Sequence, residues 1–246
     1  MTRKPRVSII TPSVREKGLD LIRESLLEQS FTDWEWIVCS PFEVEDAIWI
    51  PDNFAGGYWS LNRAYNALFR KAQGDIIITW QDFIWLPSDA IQKMVDSVER
   101  TWGVVSGVGD QYERLNEDTG KPEVKIWHDP RKTDKYGSFY ECNTNDVEWN
   151  FAGFPREAVF EVGGMDEHLD FLGFGGDQLQ IMERINDAGY KTYLDQTNES
   201  YTLRHGRDDF GGQEQWDKNH VIFNGKYDAR KKELKESGEW SRLTYL

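Results

Sequence analysis

The sequence predicts a single α/β domain with a mostly parallel central sheet and helices on both faces. Short β-branched segments alternate along the chain with amphipathic helical segments, which is typical of βαβ units. The first strand–helix–strand unit lies within residues 6–39, so the sheet is expected to begin with parallel strands. The length of 246 residues fits one large domain, and no repeat or linker divides it.

The N-terminal half predicts three strands and three helices. The strands are β-branched or apolar runs at residues 6–12, 34–39 and 75–80. The helices carry apolar side chains at helical spacing over residues 19–30, 61–72 and 88–102. Because the third strand contains three consecutive isoleucines, it is predicted to be central. Gly74, just before it, is expected to end the preceding helix.

The pattern is weaker in the C-terminal half. Residues 110–148 are polar and charged, and we expect a long excursion over the sheet face with one strand at residues 124–127. Further elements are predicted on either side: strands at 104–108, 151–154 and 190–195, a short helix from Pro155, and a helix at 179–188 that Gly189 ends. Residues 1–225 are expected to form the domain, and residues 226–246 a charged helical tail packed on it.

The composition excludes a disordered chain and opposes nucleic-acid binding. Apolar residues make up 39 %, and the 34 aromatic residues (11 Trp, 10 Tyr and 13 Phe) can fill a sizeable core. The net charge of −14, from 29 basic and 43 acidic residues, repels nucleic acid and anionic membranes at long range. The sequence predicts neither a signal peptide nor a membrane span. We therefore expect a soluble, cytoplasmic protein in which Cys39 and Cys142 are reduced thiols.

Polar residues follow the predicted strands at the edge where open parallel sheets bind ligands. Thr11, Pro12 and Ser13 follow the first strand, and Gln81 and Asp82 follow the isoleucine strand. A carboxylate at Asp82 suits a hard cation that bridges phosphate oxygens. An aspartate that caps the loop explains the same position equally well.

Asp177 and His205 are further candidate site residues, and each has both a structural and a functional interpretation. Asp177 begins a predicted helix behind a glycine-rich segment, where it can serve as a helix N-cap or as a general base. His205 lies between Arg204 and Arg207; these cations suit a diphosphate, and the imidazole can complete a metal site, although a lone histidine is more often structural. The helix at residues 61–72 adds three candidates for phosphate contact: Asn62, Arg63 and Asn66.

Several common nucleotide and hydrolase motifs are absent from the sequence. It contains no Walker loop, no Gly-x-Gly-x-x-Gly dinucleotide motif and no Gly-x-Ser-x-Gly elbow. These absences argue against P-loop NTPases, Rossmann dehydrogenases and α/β-hydrolases.

Taken in order, several segments resemble the GT-A fold of glycosyltransferase family 2. The segment Val162-Gly-Gly-Met-Asp-Glu167 is similar to the distinctive acceptor-side segment of that family. The other similar segments are residues 7–12, 25–38, 64–66, 72–74 and 151–157. The likeness spans residues 6–207, and the order of the segments makes it more specific than any one of them.

The resemblance implies an inverting glycosyltransferase that moves a sugar from a nucleotide-diphosphate-sugar donor, with a UDP-sugar favoured, to an acceptor hydroxyl. By the same resemblance, Asp177 is the general base, and Asp82 and His205 hold Mn²⁺ or Mg²⁺ on the diphosphate. The implied donor-binding residues are Thr11, Pro12, Ser13, Arg15, Asn62, Arg63, Asn66, Gln81, Asp82, Arg204 and Arg207. The implied acceptor-binding residues are Trp149, Gly153, Gly175 and Gly176.

Departures from the family pattern leave other functions open. Asp82 is flanked by Gln81 and Phe83 where the family has an Asp-x-Asp motif, and Asp177 is followed by Gln178 where the family has a Glu-Asp pair. The main alternative is a degenerate GT-A domain that binds a sugar, a nucleotide or a partner without catalysis. For the acceptor, a glycan or another hydroxyl compound is expected, and a hydroxylated base in viral DNA is the alternative that the net charge disfavours.

Overall fold

A computed structural model describes residues 3–53, 60–116, 121–171, 177–204, 225 and 227–246. Within these ranges, the strands are β1 (Val7–Pro12), β2 (Trp34–Ser40), β3 (Ile48–Pro51), β4 (Ile76–Trp80), β5 (Ile84–Trp85), β6 (Val104–Leu115), β7 (Pro122–Trp127), β8 (Phe139–Glu141), β9 (Phe151–Pro155) and β10 (Thr192–Leu203). The α-helices are α1 (Glu16–Leu27), α2 (Leu61–Lys71), α3 (Ala90–Thr101), α4 (Arg156–Glu161) and α5 (Asp177–Asp187), followed by a C-terminal helix at residues 227–237. Short 3-10 helices occur at Thr144–Asp146 and Glu167–Phe171.

All ten described strands belong to one mixed sheet. Its main order is β3-β2-β1-β4-β9-β6-β10-β5, with β7 paired to β6 and β8 to β10. The first four strands in this order are parallel, and β6 and β10 are parallel to each other. Strand β9 is antiparallel to both of its neighbours, β4 and β6. The prediction of one α/β domain with a mostly parallel central sheet is confirmed.

The sheet has an apolar core on each face. One core packs α1 and α3 against alternate residues of the strands, including Ile76, Ile78 and Trp80 of β4. The other packs α2, α4 and α5 against the opposite face, which includes Ile77. These β4 residues are at most 1 % exposed, so the isoleucine strand is buried on both faces, as expected for a central strand of a sheet that helices cover on both faces.

The prediction for residues 110–148 was wrong in part. Strand β6 does not stop at Val108 but continues to Leu115 and forms an antiparallel pair with β7. The extended part of β6 also continues to pair with β10, as far as Leu203. This segment therefore enlarges the sheet instead of crossing its face. Its polar composition conceals the strand because its side chains bind one another rather than an apolar core.

Gly74 has a different role from the one its position suggested. Helix α2 ends at Lys71, and Gly74 is not among the glycines with a positive φ. A Cβ atom on Gly74 would lie 2.5 Å from the backbone nitrogen of Ser8. The position requires glycine because β1 passes against it.

The C-terminal tail packs on the domain through apolar and polar contacts. Leu234, Trp240 and Leu243 form a buried cluster. The Arg230 guanidinium donates to the carboxylate of Asp166, with an Nε–Oδ2 distance of 2.8 Å. The backbone N–H of Leu243 donates to the carbonyl of residue 162 at 3.0 Å, which brings the tail against the Gly-Gly turn that follows α4.

Gly163→Ala is expected to disturb this docking. Gly163 has a φ of +74°, and a Cβ atom there would lie 1.8 Å from the carbonyl oxygen of Leu243. Gly238, with a φ of +81° and no atom within 4 Å of the position that a Cβ atom would take, is the matched control. The backbone conformation alone costs about 1 kcal/mol in either variant, and the clash adds about 2 kcal/mol or more at Gly163. Urea unfolding measures the loss of unfolding free energy in both variants. Equal losses would contradict the docking of the tail against Gly163.

Candidate active site

The order of strands places a topological switch point between β1 and β4. From β1 the chain runs through β2 to β3 on one side, and then returns to place β4 on the other side of β1. Both neighbours are parallel to β1. The loops that leave β1 and β4 therefore begin side by side at the carboxyl edge of the sheet, and they border the crevice where α/β sheets bind ligands.

Asp82 lies in this crevice, directly after β4. Its carboxylate is 4 % exposed and is bound by two residues that follow β1. Ser13 donates from Oγ to Oδ2 at 2.5 Å, and Arg15 donates from Nε to Oδ2 at 3.0 Å and from Nη2 to Oδ1. The guanidinium also lies over the ring of Phe83, with its Cζ atom 5.2 Å from the centroid. These contacts join the loops after β1 and β4 into one polar cluster.

Gly18 allows these loops to approach each other. A Cβ atom at this position in the first turn of α1 would lie 2.2 Å from the carbonyl oxygen of Asp82. Since that oxygen belongs to the backbone, a side chain would force the α1 turn and the loop after β4 apart. The close approach keeps the first turn of α1 against the Asp82 loop.

Asp177, the first residue of α5, belongs to a second polar cluster. It is 5 % exposed, and its Oδ1 accepts a hydrogen bond from Nδ2 of Asn62 at 2.8 Å. Asp170 caps the start of α2 from a distant part of the chain: its Oδ1 accepts from the backbone N–H of Asn62 at 2.9 Å, and its Oδ2 from that of Arg63 at 3.1 Å. Asn62 also donates to Asp170 from Nδ2 at 2.8 Å, so this amide group joins the two carboxylates.

Tyr65 lies between the two clusters. It is fully buried on α2, one turn after Asn62, and its hydroxyl faces the side chain of Gln81. Burial raises the pKa of this hydroxyl well above its usual value, and the negative charges of Asp82 and Asp177 raise it further. The tyrosine is therefore within electrostatic reach of both carboxylates, Asp82 after β4 and Asp177 at the start of α5. Tyr65 is not recognisable as a site residue from the sequence, because an aromatic residue in the apolar stripe of a helix is typical of a hydrophobic core.

The described residues do not make up a site for the divalent ion that the resemblance implies. Among them, no three His, Cys, Asp or Glu side chains come together in a way that could hold a metal ion. Both carboxylate oxygens of Asp82 already accept hydrogen bonds from Arg15 or Ser13. A cation can reach them only if the guanidinium moves away. The second expected ligand, His205, lies outside the described residues.

Four of the residues assigned to the donor or the acceptor are core residues in the structure. Thr11 is fully buried and accepts from Nε1 of a tryptophan on β2. Asn66 is fully buried and exchanges hydrogen bonds with the backbone of Met165. Trp149 is fully buried with its ring 5.0 Å from that of Tyr65, and a Cβ atom on Gly153 would lie 2.7 Å from Val98. We therefore leave Thr11, Asn66, Trp149 and Gly153 out of the proposed site.

The remaining predicted residues divide into three groups. Gln81, Arg63 and the partly exposed Pro12 lie with the two clusters described above. Arg204 follows β10, where its Nη1 binds the carboxylate of Glu113 at 3.1 Å. The preceding residue, Leu203, donates from its backbone N–H to the carbonyl of Phe83 at 2.8 Å, so the end of β10 lies beside the loop that carries Asp82. Four candidates lie outside the described residues: Gly175, Gly176, His205 and Arg207.

A further group of charges, missed by sequence analysis, lies on the extended part of β6 and the segment after β7. The carboxylate of Asp110 is 3 % exposed; it binds Lys125 at 2.7 Å, Lys132 at 3.1 Å and His128 at 3.1 Å. The backbone N–H of Asp129 also donates to it at 2.9 Å. Burial opposes ionisation of Asp110, but the bonds from Lys125, Asp129 and Lys132 outweigh it and lower the pKa to about 2. The group joins β6 to the segment after β7.

Known proteins resemble this chain in structure rather than in sequence. No protein-family model matches the sequence, and no curated protein sequence matches it. Among solved structures, the mannosyltransferase PcManGT from Pyrobaculum calidifontis, in complex with GDP-Man and Mn²⁺, superposes with a TM-score of 0.61 at 18 % identity over 93 % of this chain. GalNAc-T7, with UDP, GalNAc and Mn²⁺, superposes with a TM-score of 0.62 at 14 % identity over 82 % of this chain.

The chain has the GT-A fold. It covers 65 % of the mannosyltransferase chain and 44 % of the GalNAc-T7 chain, so it matches only part of each. Both matched structures contain a nucleotide or a nucleotide sugar together with Mn²⁺. Among the described residues of this chain, no helix has the length and apolar character needed to cross a membrane.

The ionisation of Asp110 is expected to make stability depend on pH. Its folded pKa of about 2 is lower than the value of about 3.9 in unfolded chains. The stabilisation is therefore fully present above about pH 4 and is lost as the pH falls towards 2. The shift corresponds to about 2–3 kcal/mol.

Urea unfolding between pH 6 and pH 2.5 tests this expectation with Asp110→Asn. The wild type should exceed the variant in unfolding free energy at pH 6, and the difference should shrink as the pH falls below 4. The exposed Asp134, changed to Asn, is the control and should show no such trend. A pH-independent difference for Asp110→Asn would show that its charge is not what stabilises the cluster.

Proposed function

We propose that this chain is an inverting glycosyltransferase that uses a nucleotide-diphosphate-sugar donor, with Asp177 as the general base. The observation that carries the proposal is the pair of buried carboxylates, Asp82, which Ser13 and Arg15 hold after β4, and Asp177, which Asn62 of α2 holds. One carboxylate lies on the β4 side of the site and the other on the α5 side. A transferase needs these two sides, one for the donor and one for the acceptor hydroxyl.

The environment of Asp177 supports its role as base. The N–H group of Asn62 that donates to Oδ1 fixes the carboxylate, and the first turn of α5 supplies the positive end of a helix dipole. Both effects orient the carboxylate, as proton abstraction from an acceptor hydroxyl requires. In an inverting transfer, that hydroxyl oxygen attacks the anomeric carbon, its proton passes to Asp177, and the nucleotide diphosphate leaves.

The donor side of the proposed site is the crevice between β1 and β4. Ser13, Arg15, Gln81 and Asp82 lie there, and open α/β sheets bind nucleotides at such points. The bound nucleotides in the two matched structures support a nucleotide-sugar donor. The preference for a UDP-sugar, the involvement of Mn²⁺ or Mg²⁺ with Asp82 and His205, and a glycan or other hydroxyl acceptor stay predictions.

Asp177→Asn is expected to reduce transfer by roughly 10²–10⁴-fold, the usual contribution of a general base. Because the amide oxygen of an asparagine can still accept from Asn62, the local structure should persist. Affinity for the nucleotide diphosphate should change little. Product formation and nucleotide titration, measured on the same preparation, separate the two effects.

Asp187→Asn is the matched control for this variant. Asp187 is the last residue of the same helix, where it accepts a hydrogen bond from Trp240 at 2.8 Å, far along α5 from the site. Transfer by this variant should remain close to that of the wild type. Intact turnover in Asp177→Asn would show that another group takes the proton.

Nucleoside diphosphates are expected to raise the melting temperature of the protein. A ligand at 100 times its dissociation constant stabilises by about 2.7 kcal/mol, which is a shift of roughly 5–10 °C for a domain of this size. Thermal unfolding with UDP, GDP and the corresponding nucleosides, with and without Mn²⁺, tests the donor class. Asp82→Asn should reduce the shift, and Asp75→Asn, at the exposed opposite end of β4, should not. If no diphosphate gives a shift, the degenerate binding domain becomes the better interpretation.

A further inference from the structure

We propose that the guanidinium of Arg15, held by Asp82, supplies the positive charge that binds the donor diphosphate, so that donor binding persists without a divalent ion. Asp82 is then a positioning residue for Arg15 and not a metal ligand. The inference rests on the proposed function, because a nucleotide-sugar donor is what brings a diphosphate to this crevice.

The contacts of Arg15 fix its position. Two of its nitrogens bind the two carboxylate oxygens of Asp82, in the bidentate arrangement that gives arginine its geometric specificity. Ser13 holds the same carboxylate at 2.5 Å, and Phe83 lies against the guanidinium. The side chain is therefore ordered before any ligand arrives, which lowers the entropy lost on binding.

The arrangement of charges favours an anion that arrives from solvent. The Asp82 side chain is 4 % exposed, whereas the Arg15 side chain is 40 % exposed, so the cation covers the anion. A guanidinium has five N–H donors, and Asp82 takes two of them. In the described part of the chain, no acceptor binds Nη1 of Arg15, so these donors remain available for phosphate oxygens.

The first turn of α1 also favours the binding of an anion beside Arg15. Arg15 is the N-cap residue of α1, and the positive end of a helix dipole favours anions. The contact of Gly18 with the Asp82 backbone keeps that helix end beside the carboxylate.

The side chains around Asp82 favour a bound arginine over a bound metal ion. Its immediate neighbours, Gln81 and Phe83, supply no second carboxylate, and hard divalent ions prefer several oxygen ligands with negative charge. A metal ion at Asp82 would also have to displace the bidentate arginine. The guanidinium therefore occupies the position in which the resemblance predicts the ion.

The test is the affinity for UDP and for GDP, measured by titration calorimetry in EDTA and again in Mn²⁺. The wild type should bind one of them in EDTA, and Arg15→Gln should weaken this binding by about 10–100-fold, the effect of one or two charge-assisted hydrogen bonds. Arg23→Gln is the matched control: Arg23 lies on the same helix, is also 40 % exposed and is paired with an exposed aspartate. The Arg23→Gln variant should bind UDP or GDP with the affinity of the wild type.

A double variant tests whether Asp82 acts through Arg15. Arg15→Gln leaves a buried carboxylate unpaired and can destabilise the fold, whereas Arg15→Gln/Asp82→Asn removes that charge as well. If Asp82 only positions Arg15, the double variant should bind as weakly as Arg15→Gln, within about twofold, because the effects are not additive. Asp82→Asn alone should weaken binding in EDTA, but less than the loss of Arg15.

Two other results would count against the proposals, and they are distinguishable. Binding that occurs only with Mn²⁺, is lost in Asp82→Asn and is unchanged in Arg15→Gln would overturn the inference and make Asp82 a metal ligand. The absence of nucleotide binding in both conditions, with a folded wild type, would instead overturn the proposed function.

Discussion

The pairing of β1 with β2 on one side and β4 on the other is the constraint on which the proposed site depends. All three strands are parallel and buried, so their carboxyl ends lie at one edge. Since the chain leaves β1 in one direction and returns to the other side, the loop after β4 is free to meet the loop after β1. The contact of Asp82 with Ser13 and Arg15 is the direct result. Without this strand order, Ser13 and Asp82, which are 69 positions apart in the chain, would not be brought into contact.

The position of Asp177 depends on helix α2. Its apolar stripe packs on the sheet face opposite to α1, and its first turn is capped by Asp170. This cap comes from a 3-10 helix more than one hundred positions later in the chain, so it fastens the segment Glu167–Phe171 to the start of α2. Asn62 then presents its amide group to Asp177. The same helix thus carries Asn62, which binds Asp177, and Tyr65, which lies within electrostatic reach of both Asp82 and Asp177.

The sequence predicts those elements whose burial leaves a clear periodic pattern. The isoleucine strand and the stripe of α2 are examples, because packing demands apolar residues at fixed spacing. The short strands β3, β5 and β8 and the polar end of β6 were missed, since their pairing depends on neighbours that are distant in sequence. The same limit applies to the site. Asp82 is conspicuous after its strand, but its partner Arg15 is not, and nothing local separates Asn62, which binds Asp177, from Asn66, which supports a loop.

The cap that Asp170 places on α2 has a consequence for the order in which the molecule assembles. Contacts between distant positions form late in folding, because the intervening chain must first be ordered. The strands β1, β2 and β4 and the loops with Arg15 and Asp82 all come from the first third of the chain, so they are synthesised before the segment with Asp170. The first turn of α2 stays uncapped until the segment with Asp170 arrives. The contact between Asp170 and α2 is therefore one of the later contacts to form, and it joins the first turn of α2 to the part of the chain that carries Asp177.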